Sequence, residues 1–392
     1  FYLPLELVNL SAFSLLAAQL TLAQVKYGDE SGFSDRCQDL YDAQIHAHGD
    51  IYGDVYVFQI GISALRTAPD GSPAFYLFLQ DCLDEFSHGF VEDSIHAEHF
   101  PRLLRRVSSD LKTRRYSPEW RLWYSALAEL FPDCNFAADP QGDPEEMKRM
   151  SWSDVCAAFQ LLWEQAQRGL FLSGDIQPCD SILLLDFLKS KRIAAPAMEL
   201  QPCKHPALIE AERVGRRSQT YPGQQSHGLL VYSGTPIYFS HRIPKLELLL
   251  EYLAGEQESI LFRRLREDRA LVYDIEGFMD AYLRLLAFQF SGSEESLDEV
   301  FVEIRRAVDE IASGVIDSEL LKRVRQQLLS RMSLCQDALE SMVDFAFEEN
   351  FSGRRFDPKS YAREITDCCE EELVAMAVDL RDCLEFRLLP EE

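Results

Sequence analysis

The 392 residues are enough for two to four ordinary domains, and a hydrophobic share of 47% with 27% charged residues is typical of a folded chain. Asp and Glu outnumber Lys and Arg by 65 to 39, which gives a formal charge of -26. Because nucleic acid and anionic membranes repel such a charge, the composition argues against general affinity for either. It is compatible with a basic peptide partner, although solubility explains an acidic surface at least as well.

The N-terminal stretch 1–25 is apolar but is interrupted by Glu6, Asn9, Gln19 and Gln24. It has no basic n-region and no small-residue cleavage site, so it predicts neither a signal peptide nor a membrane span. The ten cysteines form no C-x-x-C pair, a pattern typical of a reduced chain. We therefore expect a cytoplasmic protein without a membrane partner.

Two parts of the chain repeat the same order of features at an offset of about 230 residues, which is typical of duplicated domains. Each repeat has two strand candidates in succession: 43–48 and 56–63 in the first, 271–275 and 286–291 in the second. Each pair is followed by a helix that ends in a similar phrase, at Gly89 and at Gly314. Both glycines lie where the end of a helix favours a positive φ.

The helices that follow the strands are also indicated by local signals. Ser296 and Glu299 predict a capping box, and Asp317 is expected to open the next helix. In the first half, Pro101 should mark the first turn or a kink of the matching helix. Each half thus predicts helix, strand, strand, helix, helix, and the fold class is α+β, with mostly antiparallel sheets packed with helices in two homologous domains.

The segment 191–225 is rich in residues that interrupt regular structure: Pro196, Pro202, Pro206, Pro222 and Gly223. We interpret it as the connection between the halves. The predicted domains are therefore 1–190 and 226–392.

The strongest motif lies in the second half, where residues 253–267 are L-A-G-E-Q-E-S-I-L-F-R-R-L-R-E and 270–273 are A-L-V-Y. It resembles the phrase of the zinc peptidases of the pitrilysin, insulinase and mitochondrial-processing-peptidase type, in which a Gly-rich turn precedes S-x-L-F-x-x-L-R-E and a strand containing a Tyr. It departs at Ile260, where the family often has Arg, and at 256–258, where the family has small residues. The resemblance covers nearly the whole chain and implies two peptidase-like domains in a clamshell arrangement.

Active members of this family carry H-x-x-E-H on an early helix and a further Glu downstream. Two His one turn apart reach one zinc, and the Glu activates the metal-bound water. The equivalent helix is expected over 11–25, where the motif position is taken by residues that suit a packed helix: Leu15, Leu16, Ala17, Ala18 and Gln19. The resemblance therefore implies a degenerate subunit that holds no metal and is not active alone.

Two other histidine patterns resemble metal motifs only superficially. His96-Ala97-Glu98-His99 has the spacing H-x-E-H and is followed closely by Pro101, so we expect a solvated helix start. His46 and His48 share one face of a predicted strand, but no third ligand accompanies them, and we expect a structural role.

In related heterodimeric peptidases, one subunit holds zinc and the other supplies an Arg and a Tyr seven residues apart. Arg266 and Tyr273 have this spacing. The resemblance implies that Arg266 hydrogen-bonds the substrate backbone and that Tyr273 donates to the scissile carbonyl, completing a partner's site. From the residues alone, the alternative is an Arg paired with a surface carboxylate and a half-buried strand aromatic.

The resemblance thus implies a non-catalytic subunit of a heterodimeric zinc metalloendopeptidase. Its partner would be a homologous chain with H-x-x-E-H that holds the zinc, and an extended peptide substrate would add a strand to a sheet edge. Leader peptides of modified ribosomal peptides are the substrate class that the resemblance suggests. The second hypothesis is a peptide-binding or scaffold protein without a role in catalysis, as in the core subunits of the respiratory bc complex.

Overall fold

The computed structural model describes residues 1–132, 134–175, 177, 182, 215–235, 242–335, 338–352 and 357–391. The chain divides into two compact units, the first formed by Phe1–Arg115 with Ala138–Cys203, and the second by Tyr116–Ala137 with Lys204–Glu392. Most of the predicted linker, 191–214, lies outside the described residues, with Pro196, Pro202 and Pro206.

The described helices are, in chain order, α1 (Leu10–Leu22), α2 (Glu30–Asp39), α3 (Ala74–His88), α4 (Ile95–Arg115), α5 (Pro118–Leu130), α6 (Pro144–Met147), α7 (Trp152–Gln165), α8 (Ile243–Ala254), α9 (Leu297–Ala312), α10 (Ser318–Cys335), α11 (Leu339–Ser352), α12 (Pro358–Asp367) and α13 (Glu370–Asp379). A π-helical segment, Phe262–Glu267, follows α8. The strands are β1 (Tyr2–Pro4), β2 (Gln44–Tyr52), β3 (Val55–Ser63), β4 (Gly215–Tyr221), β5 (Ser226–Ser233), β6 (Val272–Asp280), β7 (Leu285–Gly292) and β8 (Arg381–Pro390). No described helix is long and apolar enough to cross a bilayer.

The first unit is built around an antiparallel sheet in the order β1-β3-β2. The apolar face of α1 packs on this sheet, where the ring of Phe13 meets Tyr56 and Phe58 edge-on at centroid distances of 5.3 and 5.7 Å. Asn9 begins the helix by accepting a hydrogen bond from the Ala12 N–H at 2.8 Å. The helix ends at Leu22, three residues before the predicted end, so the motif position lies in its second half.

The second unit contains a five-stranded sheet in the order β4-β8-β5-β7-β6, antiparallel except for the β4–β8 pair. Helix α9 covers one face, where the Phe301 ring lies 5.0 Å from that of Phe290. Leu122 and Leu127 of α5 belong to the core on the other face, with Leu229 of β5. The predicted α+β class with mostly antiparallel sheets in two domains is confirmed, and the clamshell arrangement stays a prediction.

Two boundaries differ from those that the sequence indicated. Residues 215–221 lie in the predicted linker but form the strand β4, which pairs with β8. Residues 116–137 fall inside the predicted domain 1–190 but cluster with the second unit, because α5 packs on its sheet. An amphipathic pattern shows that a helix has a buried face, but it does not specify which sheet covers that face.

The two glycines of the repeated phrase play different roles. Gly314 has a φ of 84°, as predicted for the end of α9. The prediction for Gly89 is wrong, since its φ is -77°. A Cβ at this position would lie 2.0 Å from Oε1 of Glu85, so the glycine gives that carboxylate its space.

The predicted caps also have separate outcomes. Asp317 opens α10 as expected, with its Oδ1 accepting hydrogen bonds from the N–H groups of Glu319 and Leu320 at 3.0 Å. The capping box at Ser296 is wrong, because the hydroxyl donates to carbonyl oxygens instead of accepting from the helix. One of those acceptors is Leu271 at 2.9 Å, so Ser296 ties the start of α9 to the turn before β6.

Candidate functional site

The zinc-motif position in α1 is occupied by side chains that form part of the packed interior. Leu15, Leu16, Ala17 and Gln19 are buried, and Ala18 is half-buried. Of these only Gln19 has a polar side chain, and an amide is a poor zinc ligand. Among the described residues, no group of three or more His, Cys, Asp or Glu side chains is placed to hold a metal ion. The described residues therefore do not fit a zinc ion.

A buried hydrogen-bond network occupies this region of the first unit. Gln19 Nε2 lies 3.1 Å from His96 Nδ1, and His96 Nε2 lies 2.6 Å from Glu85 Oε1. The other oxygen of Glu85 accepts a hydrogen bond from the N–H of Val25 at 2.6 Å. A neutral imidazole with its proton on Nε2 satisfies each of these contacts, since it donates to Glu85 and accepts from the Gln19 amide. We call these three residues the Gln19–His96–Glu85 network.

The expectation of a solvated helix start at His96 is wrong. His96 is fully buried, and its ring packs 5.8 Å from the indole of Trp152. His99, three residues later in the same turn of α4, is exposed. The two histidines of the H-x-E-H pattern thus lie in different environments. The burial of His96 follows from Gln19, which is 77 residues away in the sequence, and no local pattern could indicate it.

The second histidine pair has the geometry that strand alternation predicts. His46 and His48 share a face of β2, with ring centroids 6.2 Å apart. His48 Nε2 lies 3.7 Å from a carboxylate oxygen of Asp50. These three residues are not among any metal-binding group in the described part of the chain.

Arg266 lies in the π-helical segment, with an exposed side chain whose guanidinium is 5.0 Å from the ring centroid of Phe262. It makes no ion pair with a described carboxylate within 4 Å. Arg264, two residues earlier, is paired with Glu303 at 3.1 Å and Glu310 at 2.7 Å, both on α9. Arg264 therefore holds the segment on α9, whereas the donors of Arg266 remain available.

Tyr273 lies at a β-bulge on β6, an edge strand of its sheet. The register changes from Val272↔Gly292 to Asp274↔Ser291, so Tyr273 has no residue opposite it on β7. A bulge redirects the side chain of the extra residue, and Tyr273 is 60% exposed. Its hydroxyl has no hydrogen-bond partner in the described part of the chain. The half-buried aromatic that residue type alone favoured is not what the structure contains.

The backbone between Arg266 and Tyr273 is held by several hydrogen bonds. The N–H of Leu271 donates to the carbonyl of Leu265 at 2.7 Å, and the Ser296 hydroxyl donates to the carbonyl of Leu271. Ala270 has a φ of 49°, an uncommon conformation for a residue with a side chain. The turn that connects the two residues is therefore fixed by backbone contacts, as a functional pair requires.

Polar side chains lie beside this turn on the face of the sheet that α5 partly covers. The strand registers bring together residues of three strands, which we call the polar patch: His227 of β5, Asp274 and Glu276 of β6, and Gln289 and Ser291 of β7. Within it, the Ser291 hydroxyl donates to Asp274. The sequence signal was present, since Asp274 and Glu276 alternate with buried Ile275, but the pairing that unites the strands is non-local.

The titratable groups of the polar patch have shifted pKa values, raised for the two carboxyl groups and lowered for the imidazole. Burial raises the pKa of Asp274, while the nearby His227 and the Arg266 guanidinium act in the opposite direction. Burial also raises the pKa of Glu276, and the negative charges of Asp274 and Glu119 add to this effect. Burial lowers the pKa of His227, which is 7% exposed. Arg266 is thus electrostatically coupled to the patch through Asp274.

Comparisons with known proteins agree with the motif. Residues 186–328 match the family model described as the peptidase M16 inactive domain. The described part of this range contains β4–β7, the π-helical segment and α9. The sequence matches none of the curated proteins.

Solved structures share the fold across almost the entire chain. A conserved protein from Enterococcus faecalis has a TM-score of 0.84 at 16% identity, covering 100% of this chain and 92% of its own. A peptidase M16 inactive domain from Pseudomonas fluorescens has a TM-score of 0.73 at 15% identity, with coverages of 96% and 88%. A protease from Helicobacter pylori has a TM-score of 0.72 at 13% identity, with coverages of 97% and 90%. At such identities the likeness shows the fold alone.

Proposed function

We propose that this chain, whose residues 186–328 match the peptidase M16 inactive-domain model and whose fold resembles that of M16-like structures, is the non-catalytic subunit of a heterodimeric zinc metalloendopeptidase. Its partner is a homologous chain with H-x-x-E-H that binds the zinc. The observation that carries the proposal is the availability of Arg266 and Tyr273. They lie at either end of a fixed turn that leads into an edge strand, and neither side chain has a hydrogen-bond partner among the described residues. The zinc-motif position of this chain, in contrast, holds no ligand set.

The chemistry assigned to the two side chains follows from their donors. A peptide carbonyl under attack by the water that the partner's zinc activates develops an oxyanion. The Tyr273 hydroxyl, which has no internal acceptor, donates to that oxygen and stabilises its charge. The Arg266 guanidinium has five N–H donors in a fixed plane and holds the carbonyl oxygens of the peptide on either side.

An extended peptide is the substrate class that suits this site. Strand β6 lies at the edge of the five-stranded sheet, so among the residues described by the structure no strand pairs with its outer N–H and C=O groups. A peptide that pairs with β6 gains backbone hydrogen bonds irrespective of its sequence. Leader segments of modified ribosomal peptides, the class suggested by the resemblance, belong to such substrates.

Purification from the native host tests the proposal. The chain is tagged, and the proteins that accompany it at equal stoichiometry are identified by mass spectrometry while zinc is measured by elemental analysis. We expect a protein of similar size with H-x-x-E-H and one zinc ion for each pair of chains. If the chain purifies alone and without zinc, the split-site proposal fails, and a peptide-binding scaffold becomes the better account of the exposed pair.

A further inference from the structure

Two side chains of the polar patch are mostly buried and make no hydrogen bond to the residues that the structure describes. Gln289 is 4% exposed and His227 is 7% exposed, and neither side chain is hydrogen-bonded within the described part of the chain. Neither side chain has a fully buried polar atom that lacks a partner, so the polar atoms of both stay open to solvent and to a ligand. Gln289 is directly opposite Glu276 in the β6–β7 register, so the two side chains are neighbours on one face. Both unpartnered groups therefore lie among the carboxylates.

Within the described part of the chain, no Lys or Arg forms an ion pair with the carboxylates of this region. Asp274 and Glu276 lie two residues apart on β6. The negative charge of Glu119, at the start of α5, contributes to the raised pKa of Glu276. Glu276 makes no ion pair with a described Lys or Arg. The positive charge of Arg266 opposes the rise in the pKa of Asp274, although the two side chains do not form an ion pair. A cation entering here would oppose the effects of burial and of charge repulsion that raise the carboxyl pKa values, and it would find acceptors already in place.

A peptide paired with β6 would present its side chains alternately to the two faces of the sheet. Every second side chain would lie next to Asp274 or Glu276, at the separation of cross-strand neighbours. A Lys or Arg at such a position has the length and the donors to reach the carboxylates, the amide oxygen of Gln289 and the unprotonated nitrogen of His227.

We propose that the polar patch binds a Lys or Arg side chain of the extended peptide, so that this subunit selects substrates with a basic residue at alternate positions beside Tyr273. The inference rests on the proposed function, because it requires a peptide along β6. It assigns to the non-catalytic chain a role in choosing the substrate, in addition to completing the site.

The test uses the chain as purified from its host, with any subunit that accompanies it. The probes are short fluorescein-labelled peptides of Ala, Ser and Thr that carry one Arg, moved position by position, and a matched series in which neutral citrulline replaces Arg. Binding is measured by fluorescence anisotropy. We expect the Arg peptides to bind about fivefold to tenfold more tightly than the citrulline peptides, at every second position only, with the preference falling at high salt.

Two pairs of variants assign the preference to the patch. Asp274→Asn with Glu276→Gln removes two negative charges from it, and Glu276→Gln alone serves if the double variant is destabilised. Asp309→Asn with Glu319→Gln makes the same chemical changes at exposed positions of α9 and of the first turn of α10. We expect the patch variant to bind Arg and citrulline peptides equally and the control to keep the preference.

The other outcomes separate the two proposals. If Arg and citrulline peptides bind equally to the unaltered protein, the basic-residue site is overturned while peptide binding stands. A preference that persists in the patch variant lies elsewhere in the protein and also overturns the assignment. If no peptide of either series binds, peptide recognition itself fails, and both proposals fall together.

Discussion

The two units each contain a cluster of polar side chains, and the clusters differ in how their hydrogen bonds are satisfied. In the first unit, Gln19, His96 and Glu85 are buried and bonded to one another. In the second, the polar atoms of Tyr273 and Gln289 have no partner in the described part of the chain, although Gln289 is almost completely buried. A satisfied buried network stabilises a fold, whereas groups left without partners are those that a ligand can engage.

The comparison gives a structural role to His96, which belongs to the histidine pattern that looks most like a metal motif. His96 uses both ring nitrogens within the network, so neither is available to an ion. The space for this arrangement comes from Gly89, where any side chain would collide with Glu85. In the first unit, the region around the zinc-motif position is therefore packed interior. The hydrogen-bond donors of Arg266 and Tyr273, which remain available, lie in the second unit.

The largest expected effect is on stability in the first unit. His96→Ala leaves Glu85 and Gln19 buried without their main partner and should lower the free energy of unfolding by about 3 kcal/mol. Chemical denaturation followed by circular dichroism measures the loss. His99→Ala, on the exposed side of the same helix turn, is the control and should change stability by less than about 0.5 kcal/mol. Equal losses for the two variants would show that the network does not stabilise the unit.

Tyr273→Phe tests the opposite behaviour in the second unit. The hydroxyl makes no hydrogen bond to the described residues, so its removal should leave stability unchanged. Turnover by the assembled complex should fall on the order of 100-fold, about 2.7 kcal/mol, as expected for one lost oxyanion donor. Tyr116→Phe, at another exposed tyrosine, provides the control. Unaltered turnover in Tyr273→Phe would remove the hydroxyl from the mechanism.

The two arginines of the motif give the same contrast within one segment. Arg264→Ala breaks ion pairs to Glu303, which is 6% exposed, and to Glu310, and should destabilise the second unit by about 1–2 kcal/mol. Arg266→Ala should leave stability unchanged and lower kcat/KM of the complex roughly tenfold. Denaturation midpoints and steady-state kinetics of both variants separate the roles. A stability loss in Arg266→Ala equal to that in Arg264→Ala would make Arg266 structural.

Local signals were sufficient to predict much of the fold. The successive strand candidates of the repeat predicted the strand pairs β2–β3 and β6–β7, although β2 and β6 extend beyond the predicted ends to Tyr52 and Asp280. Asp317 predicted the start of α10, because a cap depends on residues close in sequence. The motif itself indicated the family. The pair Arg266 and Tyr273 was found in this way, and its catalytic role stays a prediction.

The features that the sequence did not predict depend on distant partners. Tyr273 is exposed because the register with β7 changes at that residue, which only the pairing reveals. His96 is buried because α1 supplies Gln19, and α5 joins the second unit because its apolar face meets that sheet. The polar patch combines three strands, none of which has a distinctive pattern alone.

Glu247 on α8 adds a second kind of unpartnered group to the comparison of the two units. It is a partly buried carboxyl that has no hydrogen-bond partner in the described residues. Burial raises its pKa to about 7, with Glu251 adding to the effect and Arg331 opposing it. The folded state therefore holds a proton that the unfolded chain releases near its ordinary pKa of about 4.3. The stabilisation from this group is complete below that value and is lost as the pH rises to about 7.

Glu247→Gln should accordingly stabilise the second unit by on the order of 1 kcal/mol at pH 8 and have little effect at pH 4, since the amide stays neutral throughout. Denaturation across this pH range measures the difference, with Glu319→Gln on exposed α10 as control. If Glu247→Gln stabilises the unit at alkaline pH only, the Glu247 carboxyl needs no partner at lower pH because it remains protonated there. Lack of a partner then identifies a ligand site only where, as in the polar patch, several such groups meet beside an open strand edge. A pH-independent effect would instead place Glu247 in an interaction that the amide also makes.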